Sequence, residues 1–342
     1  MNLPGQIIRH FFWRPQGVVN SLESLETSHG VTAKQDVTGA VGGVKSLYPL
    51  TVVELAEGKI IGDLRMVATA ADVVVGGLQS LFGCADAQSH YLLRRRRFRM
   101  HKRRRGTALL LGAANSDNYY HWMLDSLPRW RMLQAANRVD YDFVLLHSRP
   151  LQFQDEVLDR LNVPREKRLR CSKNFVHQFE RLIVPVMPFP TEEPSPWACS
   201  WVRSLFPEKG SPLEKIYLRR GEGRRRLVNE TELEAALQER GFVSIKPEKL
   251  SVREQAGLLS SARCVVAPHG AALTNLIFAP RGARLLELFH PQYKNRYYVS
   301  VAAACGHHYA SVDGQAVECP GSRELEYSVD VAAVVRMIGE AI

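Results

Sequence analysis

The sequence predicts an α/β protein built from two Rossmann-like halves with parallel sheets, and three observations predict it. Beyond residue 213, short apolar runs alternate with amphipathic segments, as repeated strand-helix units require. Residues 106–190 show a weaker form of the same alternation. Between the two lies PVMPFPTEEPSP at 185–196, whose five prolines rule out continuous helix or central strand. A length of 342 residues, 45% of them hydrophobic, supplies cores for about two domains. The expected division is a first region at 1–105, an upstream Rossmann-like domain at 106–190, a linker at 191–212 and a downstream domain at 213–342.

In the upstream half the expected elements are a strand at 107–112, a helix from 117, a strand at 142–147, a helix at 151–161 and a strand at 181–186. In the downstream half a strand at 215–218 precedes a helix that Asn229 and Glu232 would cap and Gly241 would end. Ser251 and Glu254 repeat the capping box. A strand at 263–267, a turn and helix from 269, a strand at 284–288, a helix near 295–304 and a last helix from about 329 follow. Residues 1–105 offer only two strand-like runs, TVVEL at 51–55 and KIIG at 59–62.

Composition narrows the function. No run approaches the roughly 20 apolar residues of a membrane span. Arginine and proline interrupt the first apolar patch too early for a signal sequence, so a cytoplasmic protein is expected. The six cysteines are far apart, with no C-x-x-C pair, which argues for reduced thiols over a zinc ribbon or a disulfide framework. The formal net charge of +10 comes from arginine clusters at 94–105 and 219–226, which point to anionic partners. Only Phe98 interrupts the first cluster with a ring, which argues against a nucleic-acid stacking surface.

Chemistry concentrates at the carboxyl ends of the downstream strands, where ligands of open α/β sheets bind. In RCVVAPHGAALTN at 263–275, His269 and Gly270 form a turn into a helix of small residues. Its unpaired N–H groups can receive a diphosphate, Gly270 and Ala271 allow close approach, and Asn275 ends the motif. Glu287 interrupts LLELF where a carboxylate could accept both hydroxyls of a ribose. Arg219, Arg220 and Arg224 follow the strand at 215–218, and guanidinium forks match phosphate oxygens. Upstream, NSDNYYHWMLDSLPR places Asn118, His121 and Asp125 at i, i+3 and i+7 on one helical stripe beside Trp122. Asp125 is the favoured general base and His121 its partner, although either could act; Asn118 and Trp122 would line the acceptor cleft.

Asp140-Tyr141-Asp142, the one D-x-D triplet, precedes its strand and reads as a turn, and His307-His308 lacks companions at ligand spacing. No metal or other cofactor is therefore expected.

These motifs, NYYHWMLDSLPR at 118–129, YLRRGEGRRRLVNE at 217–230 and the run from LSVREQ at 250 to 289, resemble those of glycosyltransferase family 61. The resemblance spans roughly 106–312. It implies a GT-B fold of two facing Rossmann-like domains and inverting, metal-independent transfer from a nucleotide-sugar, usually a UDP-sugar. The downstream half would hold the donor and the upstream half a glycan or lipid-linked glycan acceptor, as in capsular polysaccharide biosynthesis. The 94–105 arginines would dock the enzyme on anionic lipid at the inner membrane face. Two other readings are a nucleic-acid-binding protein using the basic run, and an inactive relative that binds glycan or nucleotide.

Overall fold

The computed structural model describes residues 12–13, 17–19, 30–41, 49–75, 98–100, 103–186, 192–207, 213–220, 224–317 and 325–340. The chain divides into two units, the first comprising 1–117, 125–151 and 162–188, the second 118–124, 152–161 and 189–342. Residues 94–97, 101 and 102 of the arginine cluster lie outside the described residues; of the others, Arg103 binds Glu57.

Four parallel strands centre the first unit, in the order Arg168–Cys171, Phe143–His147, Arg104–Leu110, Phe175–Val186. By chain position this is 3-2-1-4, the order of half a dinucleotide fold. The sheet continues antiparallel, however. Lys59–Ile61 and Thr51–Ala56 pair with successive stretches of the long strand Phe175–Val186, and Val31–Asp36 pairs with Thr51–Ala56. The two strand-like runs before residue 105 thus belong to a mixed sheet of twelve strands among the described residues. The expectation of a wholly parallel sheet is corrected there. Thr51–Ala56 is buried on both faces for most of its length, which erased the period-two signal that would have oriented it. Val53, Leu55, Ile60, Leu110, Leu145, Phe179 and Leu182 close the core without measurable exposure.

The proline rule also needed correction, because Phe175–Val186 runs through Pro185. Its parallel neighbour is last paired at Ile183, so at Pro185 only Thr51–Ala56 remains alongside, and one missing N–H is tolerated. The D-x-D triplet lies in the loop that leads into Phe143–His147. Asp142 accepts the Thr107 N–H at 2.7 Å, and a side chain on Gly106, whose φ is +96°, would collide with its carboxylate.

The helix expected from 117 is two pieces, a π-helix His121–Ser126 and an α-helix Pro128–Ala135. Pro128 is the cause: it has no N–H for the Leu124 carbonyl and its ring crowds that oxygen, so the preceding turn widens. The boundary between units falls inside this π-helix, after Leu124.

The second unit carries a five-stranded sheet, ordered Val243–Ile245, Lys215–Leu218, Cys264–Pro268, Arg284–Phe289, His308–Asp313, with every pairing parallel. The chain order is 2-1-3-4-5. In such a sheet the direction of winding reverses between the first and third strands, Lys215–Leu218 and Cys264–Pro268, and ligands bind at their carboxyl ends. Tyr217, Leu233, Leu237, Val266, Leu286 and Leu288 form its core.

Ser251 and Glu254 make the expected capping box. The same helix start is further satisfied by Glu156 of the helix Gln152–Arg160, which accepts the Val252 and Arg253 N–H groups at 2.7 and 2.8 Å. Asn229 does not cap its helix; its amide clasps the backbone of Val329 instead. The range 191–212, expected as a linker, contains the helix Pro196–Ser204, begun by proline at its first turn.

Candidate active site

Strand Lys215–Leu218 ends in Arg219 and Arg220, and strand Cys264–Pro268 ends in His269 and Gly270, so the two expected phosphate motifs meet where the sheet reverses. Arg220 makes the junction. Its guanidinium donates to the His269 carbonyl on one side and to the Arg224 carbonyl at 2.8 and 3.0 Å on the other. Gly270 is required by that approach, since a side chain there would strike the Arg220 guanidinium.

Burial, and then the nearby charge of Arg225, pull the Arg220 pKa below the usual arginine range. Arg225 has its guanidinium carbon 3.9 Å from the centroid of Tyr293 and is held at φ +61°, in the left-handed region. Among the described residues neither Arg220 nor Arg225 is paired with a carboxylate. Among the described residues, two adjacent cations without a carboxylate partner thus stand beside the turn into the 3-10 helix Ala271–Phe278.

Arg219, named first among the phosphate ligands, is placed differently. Glu230 and Glu234 of the following helix hold it at 3.8 and 3.3 Å. Arg224 contributes its backbone carbonyl to Arg220.

His269 is fixed on all sides. Its Nδ1 lies 2.6 Å from Glu287, its Nε2 3.1 Å from the Asn295 amide, and its ring stacks on Phe289 at 5.1 Å. Glu287 is fully buried and also accepts the Tyr309 hydroxyl at 2.9 Å. Both carboxylate oxygens thus serve protein donors, which corrects the expected direct contact with a ribose: Glu287 fixes the His269 ring. With the proton on Nδ1 directed to the carboxylate, Nε2 is left as an acceptor on the Asn295 side. Glu287→Gln replaces one acceptor by a donor in a closed pocket, so it should cost about 1 to 3 kcal/mol of stability. Thermal denaturation checks this, and an unchanged melting temperature would contradict the pairing.

Asn275 is likewise inside. Its amide donates to Gln255 at 2.6 Å and accepts the Tyr119 hydroxyl at 2.8 Å, so it tethers the segment 118–124 rather than facing a nucleotide. Tyr119 is partly buried there, and burial pushes its phenol up. Next to it, Tyr120 meets Tyr297 and Tyr298 edge-to-face at 4.7 and 5.8 Å, and His121 meets Tyr297 at 6.0 Å. Tyr298 in turn lies 5.4 Å from His269. One aromatic wall therefore runs from His121 to His269 within the second unit.

Asn118 is a turn residue, its side-chain oxygen accepting the Tyr120 N–H at 2.9 Å, and Trp122 is completely buried. The three-residue stripe of an α-helix is corrected accordingly. The i to i+5 bonding of a π-helix aligns His121 with Asp125 and Ser126 and leaves Asn118 off the face. Asp125, half-buried, helps keep Arg129 charged, while burial lowers that arginine's pKa to about 10. Arg129 donates to the Gly112 carbonyl at 3.1 Å.

Tyr293, Asn295, the Tyr297-Tyr298 pair and Tyr309 are not among the residues that the sequence points to. Arg225 was legible only as one of a cluster, and single tyrosines or amides in loops carry no periodic signal.

Residues 119–286 match the family model of glycosyltransferase 61. The chain carries a glycosyltransferase 61 domain. It is accordingly a glycosyltransferase, and that activity brings with it a sugar donor and a glycan acceptor in general terms. The matched span runs from Tyr119, beside the π-helix, through Arg220 and His269 to the residue before Glu287. No curated protein matches the chain. No helix among the described residues is long and apolar enough to cross a membrane.

Proposed function

We propose that this glycosyltransferase 61 domain binds the diphosphate of a nucleotide-sugar, a UDP-sugar foremost, with Arg220, Arg225 and the N–H groups at the start of Ala271–Phe278. The observation that carries the reading is the pair of arginines that, among the described residues, have no carboxylate partner at the switch point of the parallel sheet. As the sugar leaves, negative charge grows on the diphosphate, and fixed cations with a helix start offset it without reorganisation. Glu287 and Tyr309 act behind His269 by holding its ring.

Inversion needs one group to take the acceptor's proton during in-line attack on the anomeric carbon, and Asp125 is that base in our reading, with His121 beside it. The two units are the donor and acceptor halves of a GT-B arrangement. The acceptor is a glycan or lipid-linked glycan hydroxyl in surface polysaccharide synthesis, made at the cytoplasmic face of a membrane, and no metal takes part.

Thermal shift with nucleotide diphosphates tests the donor and the metal together. UDP at about 100 times its dissociation constant should stabilise the fold by about 2.7 kcal/mol, equally with and without EDTA. Stabilisation that appears only when Mn²⁺ is added would sink the metal-independent mechanism, and no response to any nucleotide would sink the donor site.

A further inference from the structure

Behind the aromatic wall the second unit holds two thiols that the transfer chemistry leaves unused. Cys199 sits within the helix Pro196–Ser204 and is buried; Cys305 ends the helix Tyr297–Cys305 and is partly exposed. The two helices pack against each other and against Ala271–Phe278, and each thiol acts on the ionisation of the other.

The surroundings are cationic. His307, two residues after Cys305, directs its Nε2 to the Leu276 carbonyl at 3.1 Å, its Nδ1 is buried without a hydrogen-bond partner, and the ring acts on the Cys305 thiol. Arg203 is anchored by its guanidinium to the carbonyls of Ile277 and Ala279, and its charge acts on both sulfurs. Arg281 packs against Gly306, the residue after Cys305. No carboxylate acts on either thiol among the described residues.

We propose that Cys199 and Cys305 form a reversible disulfide by exchange with an oxidised low-molecular-weight thiol, with Cys305 as the attacking sulfur and Cys199 as the resolving one. The partial exposure of Cys305 gives the oxidant access, and the contact with Cys199, followed by His307 and Arg203, lowers its pKa so that thiolate is available. Burial and the same contact raise that of Cys199, which suits it to react second.

The exchange balances in two steps. The Cys305 thiolate, its proton passed to His307, attacks one sulfur of the oxidant disulfide and expels a thiolate that takes up that proton. Cys199 then attacks the Cys305 sulfur of the mixed disulfide, and its own proton goes to the second departing thiolate. Two protein thiols are oxidised to one disulfide, and the oxidant is reduced to two thiols.

Such a bond would tie Pro196–Ser204 to the helix that carries Tyr297 and Tyr298. The site is independent of which sugar or nucleotide the enzyme uses, and so is its test. The full chain, equilibrated in mixtures of reduced and oxidised glutathione, is acid-quenched, alkylated and mapped by mass spectrometry. A cross-linked peptide joining Cys199 to Cys305 should come to account for most of both residues as the buffer becomes oxidising, and dithiothreitol should reverse it. Cys171 and Cys264 should remain alkylatable thiols throughout. In Cys199→Ala, Cys305 should stop at the glutathione adduct; in Cys305→Ser, which serves should the first variant fail to fold, Cys199 should stay reduced. Recovery of both cysteines as thiols in the most oxidising buffer, or glutathione retained on Cys305 of the parent chain, would overturn the assignment.

Discussion

Asp125→Asn should lower the rate of sugar transfer by about 10²- to 10⁴-fold while leaving nucleotide-sugar affinity essentially unchanged. Asparagine keeps the size and one acceptor oxygen of the side chain but cannot take a proton from an attacking hydroxyl. Asp125 lies on the π-helix His121–Ser126. In the reading proposed above, donor binding rests on Arg220, Arg225 and the His269 turn, all in the second unit, so it should be insensitive to the change. Calorimetric titration with UDP beside a transfer assay separates the two effects. A variant that transfers at the parent rate would remove Asp125 from the mechanism. Should His121→Gln instead show the large loss, the base would be His121, the partner that the motif also allowed.

How far the sequence foretold this site depends on what each residue answers to. The turn at His269 and Gly270 and the arginines after Leu218 were readable because their position follows from strand-helix alternation alone, and parallel topology sends every strand's carboxyl end to one edge. Which arginine faces the turn was not readable. Arg219 and Arg220 are consecutive and so diverge; two glutamates of the following helix hold the first, and two backbone carbonyls orient the second. Those partners are tertiary facts. Glu287 and Asn275 were singled out as polar residues in apolar runs, a sound signal of constraint, but such a residue can serve a ligand or a buried network, and here both serve networks.

The fold followed the same division. Strands Lys215–Leu218, Cys264–Pro268 and Arg284–Phe289 were expected nearly to the residue because they are buried runs with clear punctuation. Val243–Ile245, three residues long, and His308–Asp313, with charged and small residues interleaved, lacked an apolar pattern and were not foreseen. Without them the 2-1-3-4-5 order, and with it the switch point, could not be derived. The π-helix was missed for a different reason: Pro128 signalled a break, but only the backbone shows that the turn before it widens instead of ending.

Arg220→Ala should weaken UDP binding by about 1.5 to 3 kcal/mol, or roughly 10- to 150-fold in dissociation constant, the range for a hydrogen bond to a charged group. Arg219→Ala should leave it nearly unchanged, because that guanidinium is spent on Glu230 and Glu234. Charge balance sets the size of the effect. Arg220 is partly buried beside Arg225, and both burial and that neighbour disfavour its charged form, so a diphosphate would relieve an electrostatic cost. Removing Arg220 also deprives the His269 and Arg224 carbonyls of their donor, so folding of the variant is verified by circular dichroism. Arg225→Gln supplies a second probe, since it removes one charge without touching those carbonyls. Arg220→Lys should recover only part of the affinity, because an ammonium group cannot span the two carbonyls and also present a fork to phosphate. Unimpaired UDP binding by folded Arg220→Ala and Arg225→Gln, with a loss in Arg219→Ala, would return the phosphate to Arg219 and displace the anion site from the switch point.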